Sequence, residues 1–232
     1  MSESVLTRLW NAVKPPPPAE KRVKKPVTAQ RRKQIRMIAG LVAILILGGA
    51  GWEIYNFIAS APDRARAKFN QAMVDMGPGN YQKAIDGFTR AVSIWPQLSE
   101  AYVERGIAYH YLRKDDQALA DLDRATQVDA SLGSAYLTRG VIYRARGDQQ
   151  GAMQQFTKSI ELQPGMDAYY ERGELYESLG EHAKAIADYD QAIAYLRSAP
   201  HVYRARAYAK SKMGDEEGAK ADRELAEGYE HD

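Results

Sequence analysis

The stretch AYVERGIAYHYL (residues 101–112) returns as AYLTRGVIYRAR (135–146) and again as AYYERGELYESL (168–179). Each copy writes Tyr-x-x-Arg-Gly-x-x-Tyr. Gly106 and Gly140 are 34 residues apart, Gly140 and Gly173 are 33 apart, and the later glycines Gly180 and Gly214 are again 34 apart. A unit of that length with helically spaced apolar residues is a pair of helices that cannot bury its apolar face alone, so successive pairs stack. The period predicts an all-α array of helical hairpins.

Working outward from these copies, the motif positions fill in. The unit around Gly140 has Tyr136, Tyr143, Gly147, Ala152, Phe156 and Pro164. The unit before it has Tyr102, Tyr109, Ala118, Leu122 and Ala125. The unit after it has Tyr169, Tyr176, Gly180, Ala185, Tyr189 and Ala192. An earlier unit lacks the tyrosines but keeps Ala72, Tyr81, Ala84, Phe88, Ala91 and Pro96, with GPGN (77–80) turning between its helices. On these residues the chain resembles the tetratricopeptide repeat family over residues 65–232, in a membrane-anchored bacterial form. The resemblance implies an all-α solenoid of four repeats and a terminal capping hairpin. Ala130 and Arg197 depart from it where a repeat closes, as does the arginine before each glycine. The small residues Gly106, Gly140 and Gly173 are expected to let paired helices approach, with Ala118, Ala152 and Ala185 facing them. The last hairpin has Lys210 and Arg223 where aromatics are usual, which suits a solubilising cap.

Arg105, Arg172 and Arg206 each stand sixteen residues before an aspartate, Asp121, Asp188 and Asp222. Pairing across each hairpin is expected, as partly exposed ion pairs contributing about 0–1 kcal/mol each.

The amino-terminal part differs in kind. Residues 1–36 hold ten Lys/Arg against Glu3 and Glu20, a net of +8, which leaves 22 basic and 28 acidic residues, a net of −6, for the rest. Residues 2–14 space Val5, Leu6, Leu9, Trp10 and Val13 as a short amphipathic helix, and the Pro- and Lys-rich segment after it reads as an extended linker. Residues 37–52, MIAGLVAILILGGAGW, carry no charge. Extended to residue 59 they are long enough to cross a hydrocarbon core of about 30 Å. The basic RRKQIR (31–36) before this span predicts a cytoplasmic amino terminus, an inner-membrane anchor and a repeat domain on the periplasmic side. Pro62, just past the small residues Ala59 and Ala61, argues against a cleaved signal peptide. The basic leader lacks interleaved aromatics, so lipid headgroups explain it better than nucleic acid.

With no cysteine there is no disulfide and no thiolate site. No nucleophile, phosphate-binding or metal-ligand motif is present, and His110, His182, His201 and His231 are scattered. No cofactor, metal or small-molecule substrate is expected. The family resemblance implies a concave groove along the first helix of each pair. Mapped onto this chain it contains Phe69, Met73, Val103, Ile107, His110, Tyr111, Leu137, Val141, Arg144, Tyr170, Glu174, Arg204 and Tyr208. It lacks the Lys and Asn set that clamps a C-terminal carboxylate in some relatives. The expected function is an adapter that binds a membrane-bound protein beside the membrane, in assembly or stabilisation of an envelope complex. Two readings compete with it. A mitochondrial outer-membrane import receptor would face the cytosol, which the +8 leader opposes, and an enzyme would need motifs that are absent.

Overall fold

The computed structural model describes residues 37–38 and 51–231, in two units, Met1–Ala59 and Ser60–Asp232. In the first, residues 37–38 and 51–59 are helical, Trp52 stacks on Tyr55 at 5.7 Å, and Ile54, Phe57 and Ile58 are exposed. The expected helix at 2–14, the linker and residues 39–50 of the expected span lie outside the described residues. Among the described residues no helix is long and apolar enough to cross a membrane.

The second unit is built from ten described helices: α1 (Ala61–Val74), α2 (Tyr81–Ile94), α3 (Ser99–Tyr111), α4 (Asp115–Val128), α5 (Gly133–Ala145), α6 (Gln149–Leu162), α7 (Met166–Ser178), α8 (His182–Tyr195), α9 (Pro200–Lys212) and α10 (Glu216–His231). They form five consecutive hairpins. The second helix of each packs on the first helix of the next, and the first helices α3, α5, α7 and α9 also touch in sequence. This is the expected all-α solenoid.

Local chemistry sets the boundaries. Pro62 and Pro200 sit in the first turns of α1 and α9, where a missing N–H costs nothing. Asp148 caps α6 by accepting from the Gly151 N–H at 2.8 Å. The turn inside every hairpin needs one left-handed residue, supplied by Gly79, Gly147, Gly180 and Gly214, and in the second hairpin by Arg113 at φ 59°.

The motif glycines work differently from the sequence expectation. A Cβ on Gly140 would lie 2.5 Å from Phe156 Cε1, and one on Gly173 would lie 2.6 Å from Tyr189 Cε1. The glycine therefore makes room for the large side chain sixteen residues on, not chiefly for the alanine of the facing helix. Only Gly106 has backbone of such an alanine as its nearest neighbour, 3.3 Å from Ala118 O, because Leu122 is narrower than an aromatic ring. The first hairpin reaches the same fit in reverse. Ala72 stands at the small position and Gly87 opposite gives way, since a Cβ there would lie 2.6 Å from Ala72 Cβ. Phe88, Leu122, Phe156 and Tyr189 are fully buried as a result. Each contributes about 1.5–3 kcal/mol through burial.

The Tyr-x-x-Arg part of the motif is a clamp. Arg105 bonds Asp121 through Nε and Nη2, both at 2.7 Å, Arg172 bonds Asp188 at 2.7 and 2.8 Å, and Arg206 bonds Asp222 at 2.8 and 2.6 Å. The same guanidiniums reach back to the preceding hairpin, to Thr89, Thr157 and Asp190. Tyr102, Tyr169 and Tyr203 lie under them with centroids 5.4–5.8 Å away. One arginine thus ties three helices over an aromatic platform. These pairs are bidentate and mostly buried, with side-chain exposures of 18% for Arg172 and 8% for Asp188, so the value for an exposed pair understates them. Hairpin three departs because Gln155 replaces the aspartate. Among the described residues Arg139 bonds only backward, to Asp123 at 2.6 Å, and the buried Gln155 Oε1 has no partner.

The last hairpin is a cap in its charges but not in all its surface. Ile85, Leu119, Met153 and Ile186 share one repeat position, and α10 places the exposed Lys220 there. Lys210 is not solvated as expected: its Nζ lies 2.9 Å from Asp222, which is 3% exposed. Burial opposes the charge on Asp222, yet hydrogen bonds from Arg206 and Lys210 outweigh it and hold the carboxyl below its ordinary range. On the outer side of α10, Leu225 and Tyr229 remain exposed.

Candidate functional site

Because first helices follow one another along the array, their outward residues form one continuous face. Its amino-terminal part is apolar. Phe69 is half-buried against Phe88, ring centroids 5.5 Å apart, and Met73 is 39% exposed. Ile107 is half-buried against the core. Val103 does not belong to this face: it is 2% exposed and packs with Leu122 and Ile142, because α3 turns it into the interface with its neighbours. Tyr111 is 59% exposed and lies flat on Tyr81, centroids 4.7 Å apart at 7°.

The middle is charged and cross-linked. His110 Nδ1 lies 2.7 Å from Asp115 Oδ1, and Arg146 approaches the other Asp115 oxygen at 3.6 Å. Burial works against the Asp115 charge, but His110 and Arg146 hold its carboxyl below the usual value. Leu137 and Val141 pack against Phe156 and Leu175. Arg144 extends over the Phe156 ring, 6.0 Å from its centroid, and places Nη2 2.5 Å from Glu171 Oε2. Burial pushes the Glu171 carboxyl up, Arg144 opposes this, and Glu174 and Asp167 reinforce it.

Tyr170 meets His201 edge-on, centroids 4.9 Å apart, and lies 6.0 Å from Tyr189. Glu174 accepts a hydrogen bond from the Tyr189 hydroxyl at 3.0 Å. Burial and then the Glu174 charge raise the Tyr189 hydroxyl well above the ordinary tyrosine value, so it stays protonated and able to donate to Glu174. Farther along, Arg204 is exposed, and Tyr208 is exposed with Lys212 Nζ 5.0 Å from its ring centroid.

The structure thus brings Arg144, Tyr170 and Glu174 into one cluster with Glu171, Tyr189 and His201, which the sequence mapping missed. The mapping took groove positions singly, whereas Arg144 and Glu171 meet across two repeats. Glu171 carried no signal in the sequence, because only the structure shows that its repeat position, held by Thr138 in α5, is buried. A carboxylate placed where a neighbouring repeat buries its residue needs a partner. Chemically, the face offers apolar contacts at one end and positioned charges beyond them. It suits an extended or helical peptide whose apolar side chains supply affinity and whose charges fix register.

Residues 103–167 and 166–199 match two family models, each described as a tetratricopeptide repeat, so this part of the chain carries such repeats. The human tetratricopeptide repeat protein 13 is 29% identical over 147 residues, 61% of this chain, while the match spans only 17% of that protein. Among solved structures, MamA is 24% identical with a TM-score of 0.57, over 73% of this chain and 94% of that one. A thermophilic repeat protein of Thermus thermophilus is 22% identical with a TM-score of 0.60, over 70% and 89%. PilW, a type IV pilus biogenesis factor, is 19% identical with a TM-score of 0.64, over 72% and 78%. At such identities the likeness to the solved structures establishes the fold alone.

Proposed function

We propose that the chain is a single-pass, membrane-anchored adapter whose first-helix face binds a segment of another membrane-bound protein, in assembly or stabilisation of a membrane complex. The observation that carries this reading is the open face itself: Met73, Tyr111 and Tyr208 are exposed on it, and its His110 and Arg144 are held in place by Asp115 and Glu171. A surface so ordered loses little entropy when a peptide settles on it. The anchor rests on the sequence, on the uncharged residues 37–52 and the basic residues before them. Residues 51–59 are helical and α1 begins at Ala61, so the chain between anchor and repeats is short. A short tether raises the effective concentration of membrane-bound partners without any new contact.

The test spares Val103, whose substitution would damage the core. Tyr111→Asp with Tyr208→Asp, both exposed on the face, should in the whole chain abolish co-purification of a membrane partner while membrane location and helical circular dichroism persist. Undiminished capture would remove the face from the mechanism. Protease added outside spheroplasts should digest residues beyond about 65, as the anchor orientation requires, and protection until lysis would reverse that orientation.

A further inference from the structure

The Arg144–Glu171 pair has an incomplete counterpart two repeats earlier. Glu104 precedes Glu171 by 67 residues, while Phe88 precedes Phe156 and Met76 precedes Arg144 by 68 each, so all three occupy matching repeat positions. In the later slot, Arg144 lies across Phe156 and bridges α5 to the Glu171 carboxylate on α7. In the earlier slot, Phe88 is as fully buried as Phe156, and Met76 packs on it together with Ala72 and Ala84. Glu104 is half-buried on α3, and among the described residues its carboxylate has no hydrogen-bond or ion-pair partner. Burial pushes its carboxyl up.

The helix ends differ as well. α5 continues through Arg144 to Ala145, but α1 stops at Val74, so the chain is already turning at Met76. Matching positions in the other first helices hold Asn70, Thr138 and Ala205, so a carboxylate there is no general requirement of the repeat. A half-buried carboxylate without a counter-charge is costly, and the same molecule shows which group relieves it.

We propose that Glu104, with Phe88 and Met76 at the repeat positions matching Phe156 and Arg144, receives a lysine or arginine side chain of the partner, in the place that Arg144 fills from within the chain two repeats later. This rests on the adapter reading and names the chemistry of its partner: a basic residue, with apolar neighbours laid along Phe69 and Met73. The guanidinium or ammonium group bonds the Glu104 carboxylate, and its aliphatic stem covers Met76.

The test uses the whole chain in detergent micelles, carboxyl-labelled with carbon-13 at glutamate, titrated with N-acetyl-arginine amide. The Glu104 carboxyl resonance should shift saturably, and Glu104→Gln should weaken binding at least about tenfold, equivalent to about 1.4 kcal/mol. Met76→Arg should abolish probe binding and move the Glu104 resonance without probe, because the slot is then filled internally. Met76→Leu should do neither. Equal binding of N-acetyl-glutamine amide, or unchanged affinity in both Glu104→Gln and Met76→Arg, overturns the proposal. Neither readout needs a partner or a membrane orientation. Probe binding at Glu104 with undiminished partner capture in the Tyr111 and Tyr208 variant would therefore overturn the first-helix-face reading alone.

Discussion

Replacing Gly140 tests how the hairpins close. An added Cβ would sit 2.5 and 2.6 Å from Phe156 Cε1 and Cδ1, about 1 Å inside the carbon–carbon optimum of about 3.5–4.0 Å. Phe156 is fully buried between α5 and α7, so its ring has no space to retreat into. Overpacking of this kind costs about 1–3 kcal/mol, partly offset in Gly140→Ala by about 0.5–1 kcal/mol of recovered helix propensity. Gly140→Ala should therefore destabilise by about 1–2 kcal/mol, and Gly140→Leu by about 3 kcal/mol or more, since further carbons enter the same contact. Gly106→Ala is the control: its nearest atoms would be 3.3 and 3.4 Å away, so the propensity gain should leave it near neutral. Phe156→Leu copies the second hairpin and should relieve part of the Gly140→Ala penalty. Thermal unfolding followed by circular dichroism reads each effect, at about 2–4 °C per kcal/mol for a domain of this size. Equal melting temperatures for wild type and Gly140→Leu, or equal losses for Gly106→Ala and Gly140→Ala, would refute the packing argument.

Arg172→Ala should cost about 2–4 kcal/mol in denaturant unfolding, since it leaves Asp188 buried and unpaired, and Arg172→Met with Asp188→Leu should recover most of the loss. Gln155→Asp should stabilise by about 1 kcal/mol by supplying Arg139 with the missing carboxylate, read as a higher urea midpoint. Arg113→Gly should raise the melting temperature, because it removes about 1 kcal/mol of left-handed strain at φ 59°. Asp222 has a folded carboxyl value depressed below its unfolded one, so its pairing stabilises fully above about pH 4 and is lost as pH falls through the folded value. Asp222→Asn should therefore be less stable than wild type at neutral pH, with the gap in denaturant midpoint closing on acidification below about pH 4.

The array was legible because a 34-residue period leaves few alternatives, and the arginine clamps were legible because sixteen residues span one hairpin at matching repeat positions. Their strength was not, since nothing in the spacing tells that Asp188 and Asp222 are buried. The role of the glycines was misplaced for a related reason. Which facing residue meets Gly140 depends on the helix crossing, and the ring of Phe156 arrives before Ala152 does. The groove was read only in part. Outward positions repeat with the period, so Tyr111, Arg144 and Tyr208 fall on the exposed face, but Val103 at an equivalent spacing is drawn into the core. Glu171 is not legible in the sequence because its meaning lies between repeats, in the contact of α5 with α7, and Glu104 gains its meaning only by comparison with that pair.

In the proposed function the first-helix face, and not the second-helix side, holds a membrane-bound partner. A photo-crosslinking amino acid placed at Tyr111, Leu137 or Tyr208, and at the exposed Arg124 or Lys158 of the second helices, tests it in intact membranes. The three first-helix positions should crosslink to one and the same membrane protein, and the second-helix positions should not. Crosslinks to that protein from Arg124 and Lys158 alone would contradict it.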